Sequence, residues 1–183
     1  AQTAMYRILS AVARLIAPVL SFTAEEIWKF MPHTAQDDTE SIFLNDMPEK
    51  LNLAVTPEFT AKWDTIYKLR AEATKALEVK RADKFIGASL EAKVTLHTAD
   101  EKLYSEINAL KDELPAVFIV SAADVVNNGE GEFKSENFDG KLSLSVERAS
   151  GEKCERCWMY SETVGRNAIH PTLCERCSAE VMS

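Results

Sequence analysis

Four cysteines lie close together near the carboxyl end of this 183-residue sequence, and their spacing predicts a metal site. They form two Cys-Glu-Arg-Cys motifs, at 154–157 and 174–177, with 16 residues between them. Two residues between cysteines allow a tight turn to point both sulfurs at one ion, and the second motif completes a tetrahedron. Four thiolates leave no open coordination position, so we predict one structural Zn²⁺ held by Cys154, Cys157, Cys174 and Cys177. A dithiol redox pair is the alternative, which two matched motifs fit poorly.

The distribution of the cysteines also predicts the compartment. Disulfide frameworks distribute their cysteines through a small secreted chain, whereas here the first 153 residues contain none. No apolar run is long enough to cross a membrane. We therefore expect a reducing, cytoplasmic location and no membrane partner. The sequence starts at Ala1 without an initiator Met, and we expect it to be a piece of a larger protein.

Residues beside the cysteines have the chemistry of an RNA contact. Arg156 and Arg176 each precede the second cysteine of a motif, and Trp158 follows the first motif. A guanidinium plane and an exposed aromatic ring suit single-stranded RNA, where one base–aromatic stack is worth about 1–3 kcal/mol. The alternative is that Trp158 packs over the zinc site while Arg156 is solvated. The spacing leaves both interpretations open.

The charge distribution restricts where an anion can bind. The net charge is −8, which by itself argues against a nucleic-acid binder. Most of the excess acid lies in residues 91–150, with 6 Lys+Arg against 12 Asp+Glu. Residues 1–90 and 151–183 are each close to neutral, so we expect any contact with RNA to be made by these two ends.

Helical patterns occupy the first half of the sequence. Apolar residues repeat at helical spacing over 2–17, and Pro18 ends that helix. Thr23 and Glu26 form a capping-box pattern that predicts a second helix ending near Phe30. Residues 32–50 are predicted to form a loop in which the apolar segment 42–44 is the anchor.

A long helix is predicted from Thr56 to about Lys84, because Thr56 can cap it and Pro57 suits its first position. Its last turns carry a group of cations. They either complement the helix carboxyl terminus on a solvated face or form an edge that faces phosphates. These cations are Lys75, Lys80, Arg81 and Lys84.

The period changes after Gly87, where a small α+β unit is predicted. Alternating residues indicate strands at 92–97 and 141–146, and β-branched residues indicate another at 117–120, with a further one possible around Val125. Asp100 is placed to cap a helix between the strands predicted at 92–97 and 117–120.

Several segments resemble one family in their order along the chain. The segment 17–28 (APVLSFTAEEIW) resembles the helical anticodon-binding domain of class I aminoacyl-tRNA synthetases for branched aliphatic amino acids. The tail 151–158 (GEKCERCW) resembles the carboxyl-terminal zinc finger of bacterial isoleucyl-tRNA synthetases. Shorter segments continue the likeness to the isoleucine enzymes, namely SIFLNDMP at 41–48, KALE at 75–78, KFIG at 84–87 and SLEA at 89–92.

This resemblance implies an α+β chain with three parts. Residues 1–90 would be the end of a helical anticodon-binding bundle, residues 91–150 a small α+β junction domain, and residues 151–183 a four-cysteine finger of the zinc-ribbon kind. It also implies contact with the anticodon stem-loop of tRNA(Ile). The residues expected to make this contact are Arg156, Arg176, Trp158 and the four cations at the end of the long helix.

The activity that the resemblance implies is the ATP-dependent attachment of isoleucine to tRNA by a monomeric enzyme. The HIGH-type and KMSKS-type signatures of the family are absent from this sequence. We therefore expect no catalytic residue here, and we expect ATP and Mg²⁺ to bind a catalytic domain outside these residues.

Two other classes of protein were weighed. Formamidopyrimidine-type DNA glycosylases end in a similar finger, but they need an amino-terminal proline nucleophile and a strongly basic face, whereas this sequence starts Ala1-Gln2 and is acidic. A non-catalytic zinc module for protein partners would explain the acidity but not the ordered synthetase-like segments.

Overall fold

The computed structural model describes residues 2–50 and 54–182, which divide into two compact units, Ala1–Ala54 and Val55–Ser183. In the first unit, helix α1 (Gln2–Ile16) and helix α2 (Ser21–Phe30) are joined by a tight turn containing Pro18. A short 3-10 turn follows at Ile42–Leu44. No described helix is both long and apolar enough to cross a membrane.

The core of the first unit is built around Trp28. Small side chains let α1 and α2 approach each other, and the indole is almost completely buried between them. The indole Nε1 donates a hydrogen bond to the carbonyl oxygen of Asp38 at 3.0 Å, so the polar atom of the ring is satisfied. The buried residues of this core are Ala13, Ala17, Ala24, Trp28, Met31 and Ile42.

The capping box predicted at Thr23 is not where α2 begins. The helix begins at Ser21, and no side chain caps it. The chain turns directly out of α1, because the N–H groups of Val19 and Leu20 both donate to the carbonyl of Ile16. Because α2 follows this turn without a break, it begins two residues before the predicted cap. In the following loop, only Ile42 of the predicted apolar anchor is buried.

The second unit starts with the long helix α3 (Pro57–Ala82), as its capping residues predicted. The Thr56 hydroxyl accepts a hydrogen bond from the N–H of Phe59 at 3.2 Å, and Pro57 occupies the first turn. One side of α3 is buried, including Leu69, Ala73 and Leu77. These residues share one core with the sheet that follows.

The sheet has four strands in the order β2-β1-β4-β3: β1 (Ala92–Thr98), β2 (Ala122–Asn127), β3 (Phe133–Lys134) and β4 (Ser143–Arg148). The central strand β1 is parallel to β2 and antiparallel to β4. Helix α4 (Glu101–Asn108) and helix α5 (Leu114–Phe118) form the crossover from β1 to β2. The Asp100 carboxylate caps α4, as predicted, by accepting the N–H of Leu103 at 3.0 Å.

The strand predicted at 117–120 is wrong, because this segment ends helix α5 instead. Pro115 occupies the first turn of that helix, and Leu114 and Phe118, four residues apart, are both buried in the core. Ile119 then adopts a left-handed conformation with a φ of 58°, and the N–H of Val120 closes the turn on the carbonyl of Pro115. Burial of Leu114 and Phe118 in the core favours a helix here, and it outweighs the preference of the β-branched residues for a strand.

The last part of the second unit is small and rich in cysteine. Strand β5 (Glu152–Lys153) pairs antiparallel with strand β6 (Tyr160–Ser161), and helix α6 (Glu175–Met182) follows. The predicted boundaries at residues 90 and 150 stay a prediction. The two compact units divide after Ala54, and α3 shares the core of the sheet in the second unit.

Candidate metal centre and nucleic-acid interface

The structure brings the four predicted sulfur ligands together. All four Sγ atoms lie within 4.8 Å of one another, and Cys157 Sγ is 3.8 Å from Cys174 Sγ. A zinc ion with tetrahedral bonds of about 2.3 Å holds its sulfurs about 3.8 Å apart, so the cluster has the dimensions of a zinc–thiolate site. The four cysteines therefore fit a structural Zn²⁺.

Two local structures position these sulfurs. The first motif forms the turn between β5 and β6, where the N–H of Trp158 donates to the carbonyl of Cys154 at 2.8 Å and the N–H of Cys154 donates to the carbonyl of Met159 at 2.9 Å. The second motif lies at the start of α6, where the N–H of Ser178 donates to the carbonyl of Cys174 at 2.9 Å. Both turns direct their paired side chains inward.

The electrostatics of the cluster also fit a cation. Burial opposes ionisation of Cys154, but the N–H groups of Cys157, Cys174 and Arg156 donate toward its sulfur and lower its pKa to about 6. Burial and hydrogen bonds to the neighbouring sulfurs raise the pKa of Cys177 to about 12. Four sulfurs this close cannot all ionise unless a cation balances their charge, and a soft divalent ion such as Zn²⁺ does so.

The side chain of Trp158 is largely exposed to solvent. The side chains that pack against the buried cysteines include Val164 and Leu173, whereas 62% of the Trp158 surface is exposed. Of the two interpretations that the sequence left open, this exposure favours the RNA contact, which stays a prediction. The ammonium of Lys153 lies over the indole, 5.5 Å from the ring centroid, which is a cation–π contact.

The two arginines of the motifs lie partly toward the cluster. The Arg156 guanidinium donates to the carbonyl of Cys177 at 3.4 Å, and the Arg176 guanidinium donates to the sulfur of Met159 at 3.5 Å. The sulfur of Cys157 raises the pKa of Arg176 by hydrogen bonding. None of the ion pairs found among the described residues joins either arginine to a carboxylate, and the charge of Arg176 lies instead beside the cysteine sulfurs.

Most of the cations predicted on α3 are neutralised by carboxylates. Lys75 pairs with Glu136 at 2.7 Å, Lys80 pairs with Glu132 at 2.6 Å, and Arg81 pairs with Glu78. Lys84 is exposed just beyond the end of the helix, and no ion pair of the described residues includes it. Three of the four predicted cations thus take part in structural pairs.

Sequence reasoning missed Lys153 and the glycine before its strand. In the β5–β6 hairpin, Lys153 lies opposite Tyr160. Its position directly before the first cysteine motif is the sequence feature that could have identified it. Gly151 has a φ of 85°, and a Cβ at this position would lie 2.2 Å from the carbonyl carbon of Ser161. Only glycine therefore allows the chain to enter β5 this close to β6.

Known protein families account for both ends of the chain. Residues 1–96 match the family model described as the anticodon-binding domain of tRNA ligases. The chain belongs to this family. Residues 151–179 also match the model of a zinc finger found in FPG and IleRS. The resemblance inferred from the sequence is confirmed, and the match over residues 1–96 distinguishes this anticodon-binding family member from a DNA glycosylase.

Several relatives match this anticodon-binding domain protein over nearly its whole length. It is 45% identical over 183 residues to the isoleucine–tRNA ligase of Thermoanaerobacter sp. (strain X514), covering 99% of this chain and 19% of the relative. It is 43% identical over 185 residues to the enzyme of Caldanaerobacter subterraneus subsp. tengcongensis, again covering 99% of this chain and 19% of the relative. For Geobacter sulfurreducens the identity is 41% over 181 residues, with the same two shares. The chain thus spans about a fifth of the length of these relatives.

Proposed function

We propose that this chain is the tRNA-recognising part of an isoleucine–tRNA ligase. The observation that carries the proposal is the combination, in one chain, of an anticodon-binding domain and a four-cysteine finger, with 45% identity to such a ligase over 183 residues. In this proposal the chain contacts the anticodon stem-loop of tRNA(Ile). The remaining parts of a monomeric cytoplasmic enzyme bind isoleucine, ATP and Mg²⁺.

The proposed role of zinc is to fold the finger. The buried apolar residues among the described residues of this part are Cys154, Cys174 and Cys177, and few apolar side chains pack against them. Such a core is too small to offset the chain entropy of a tail of this size. Zinc binding to four thiolates is worth about 10–16 kcal/mol of apparent free energy at neutral pH, which is enough to supply the difference.

The backbone of Trp158 supports a functional role for its side chain. Its φ of 64° lies in the left-handed region, where a bulky residue costs about 1–2 kcal/mol and glycine costs nothing. The turn around the first cysteine motif needs this conformation, but it does not need an indole. An exposed aromatic ring kept at a strained position fits a surface that stacks on an unpaired base.

The cations of the finger fit the same partner. Arg156 and Arg176 flank the cluster without carboxylate partners among the described residues, and we propose that both face the RNA backbone. The basic end of α3 would contribute less, because Lys75, Lys80 and Arg81 must first exchange their ion pairs for phosphates. We propose that Lys84 contacts phosphate without such an exchange.

A comparison of two tRNAs tests this function. The zinc-loaded chain is titrated with tRNA(Ile) and with an unrelated tRNA at low salt, since the acidic middle of the chain makes binding weak and salt-dependent. We expect tighter binding of tRNA(Ile), and competition by its isolated anticodon stem-loop. Equal binding of both tRNAs, or no binding of either, would contradict the proposal.

A further inference from the structure

Lys153 and Trp158 form a pair on one edge of the finger. The ammonium lies 5.5 Å from the indole centroid, and the ring still exposes 62% of its surface. The hairpin that carries both residues is held to the rest of the second unit, because the N–H of Tyr160 donates to the hydroxyl of Ser121 at 2.7 Å. Ser121 in turn donates to the carbonyl of Leu90. The pair therefore stands on a supported hairpin.

We propose that Lys153 and Trp158 together bind one unpaired nucleotide, with the base stacked on the indole and the phosphate of the same nucleotide on the Lys153 ammonium. This inference rests on the proposed function and adds Lys153 as a residue that determines the preference for unpaired RNA. A base can stack on the exposed indole surface only when it has left a duplex. The Lys153 ammonium lies over one face of the ring on a flexible stem, so a base stacked on the opposite face has its own phosphate within reach of that ammonium.

The Lys153 ammonium has no carboxylate partner among the described residues and is therefore available to an anion. No ion pair among the described residues includes Lys153, whereas other surface lysines such as Lys93, Lys111 and Lys141 have carboxylate partners within 2.9 Å. The contact with the ring fixes the ammonium without neutralising it. Lys153 therefore offers a full positive charge at a defined place beside an aromatic surface, which is the combination that single-stranded nucleic acid requires.

The test uses the zinc-loaded 183-residue chain and two RNA probes of equal length and charge. One probe is a hairpin with a loop of unpaired nucleotides, and the other is a blunt duplex. Lys153→Gln is compared with wild type and with Lys102→Gln, which removes the same charge from an exposed lysine of α4. Zinc content is measured for every variant, so that loss of the finger is detected separately.

We expect Lys153→Gln to weaken hairpin binding by about three- to tenfold and to lower the slope of log affinity against log salt by about 0.7, while zinc content stays unchanged. We expect Lys102→Gln to change neither quantity, and Lys153→Arg to restore both. The duplex should bind weakly to all variants. A blue shift of indole fluorescence on hairpin binding, lost in Trp158→Phe, would support stacking at the same place.

The outcomes separate this inference from the proposed function. If Trp158→Ala weakens hairpin binding but Lys153→Gln binds as tightly as wild type, the role of Lys153 is wrong and the proposed function stands. If Lys102→Gln weakens binding as much as Lys153→Gln, the effect is one of overall charge and the paired site is wrong. If the wild-type chain binds neither RNA, both proposals are wrong.

Discussion

Replacing Trp158 by glycine and by alanine separates the cost of its backbone from the use of its side chain. Both substitutions remove the indole, so the packing lost with it is the same in each. Alanine keeps the cost of a Cβ at a φ of 64°, about 1–2 kcal/mol, whereas glycine does not. Glycine loses about 0.5–1 kcal/mol through the greater freedom of the unfolded chain. We therefore expect the finger of Trp158→Gly to be roughly 0.5–1 kcal/mol more stable than that of Trp158→Ala.

This difference should appear in the affinity for zinc, since folding of the finger is coupled to metal binding. Competition with a chelator should show that Trp158→Gly retains zinc about two- to fivefold more tightly than Trp158→Ala. Both variants should lose RNA affinity equally, by about 1–3 kcal/mol, because the stacking surface is absent from both. Anisotropy of a labelled anticodon stem-loop measures this loss.

Two results would refute the reasoning. Equal zinc affinities for the two variants would show that the left-handed backbone at Trp158 costs no more than the glycine entropy term of about 0.5–1 kcal/mol, below the expected cost. Wild-type RNA affinity in zinc-loaded Trp158→Gly would show that the indole does not contact the RNA.

Gly151→Ala should destabilise the finger by more than about 2 kcal/mol, because its Cβ would lie 2.2 Å from the backbone of Ser161. The matched control is Gly140→Ala, with a φ of 73° and no atom within 4 Å of the new Cβ, which should cost only about 1–2 kcal/mol of backbone strain; equal losses in urea unfolding would contradict the steric argument. Hydrogen bonds from Lys93 and Lys111 lower the pKa of Asp124, so its stabilising effect is present above the unfolded pKa and disappears as the pH falls through the folded value. Asp124→Asn should therefore cost about 0.5–1 kcal/mol at neutral pH and nothing in acid, and an equal loss at both pH values would exclude the ion pairs as its cause.

Local signals predicted the starts of two helices and the cluster of four cysteines. Thr56 with Pro57 and Asp100 act within one turn of chain, so their neighbours in sequence are also their partners in the structure. The four cysteines form two short motifs, and each turn is a local structure. The family resemblance depends on the same short segments, which is why it could be stated before any tertiary contact was known.

Predictions were less accurate where the structure depends on partners that are distant in the sequence. The segment 117–120 has β-branched residues, but burial of Leu114 and Phe118 in the core made it the end of a helix. The cations of α3 form a basic cluster in sequence, yet Glu132 and Glu136, more than fifty residues away, neutralise two of them. Periodicity and composition contain no information about such partners.

The sequence by itself predicted that four cysteine sulfurs would come close together and that the chain would resemble an anticodon-binding synthetase end, because residue type and short spacing are sufficient for both. Only the tertiary structure decided that Trp158 faces solvent beneath Lys153 and that most cations of α3 are already paired. The physical reason is the distance along the chain over which each feature is set. A cysteine motif acts over four residues of chain, whereas exposure and charge compensation depend on which distant segments the folded core brings together.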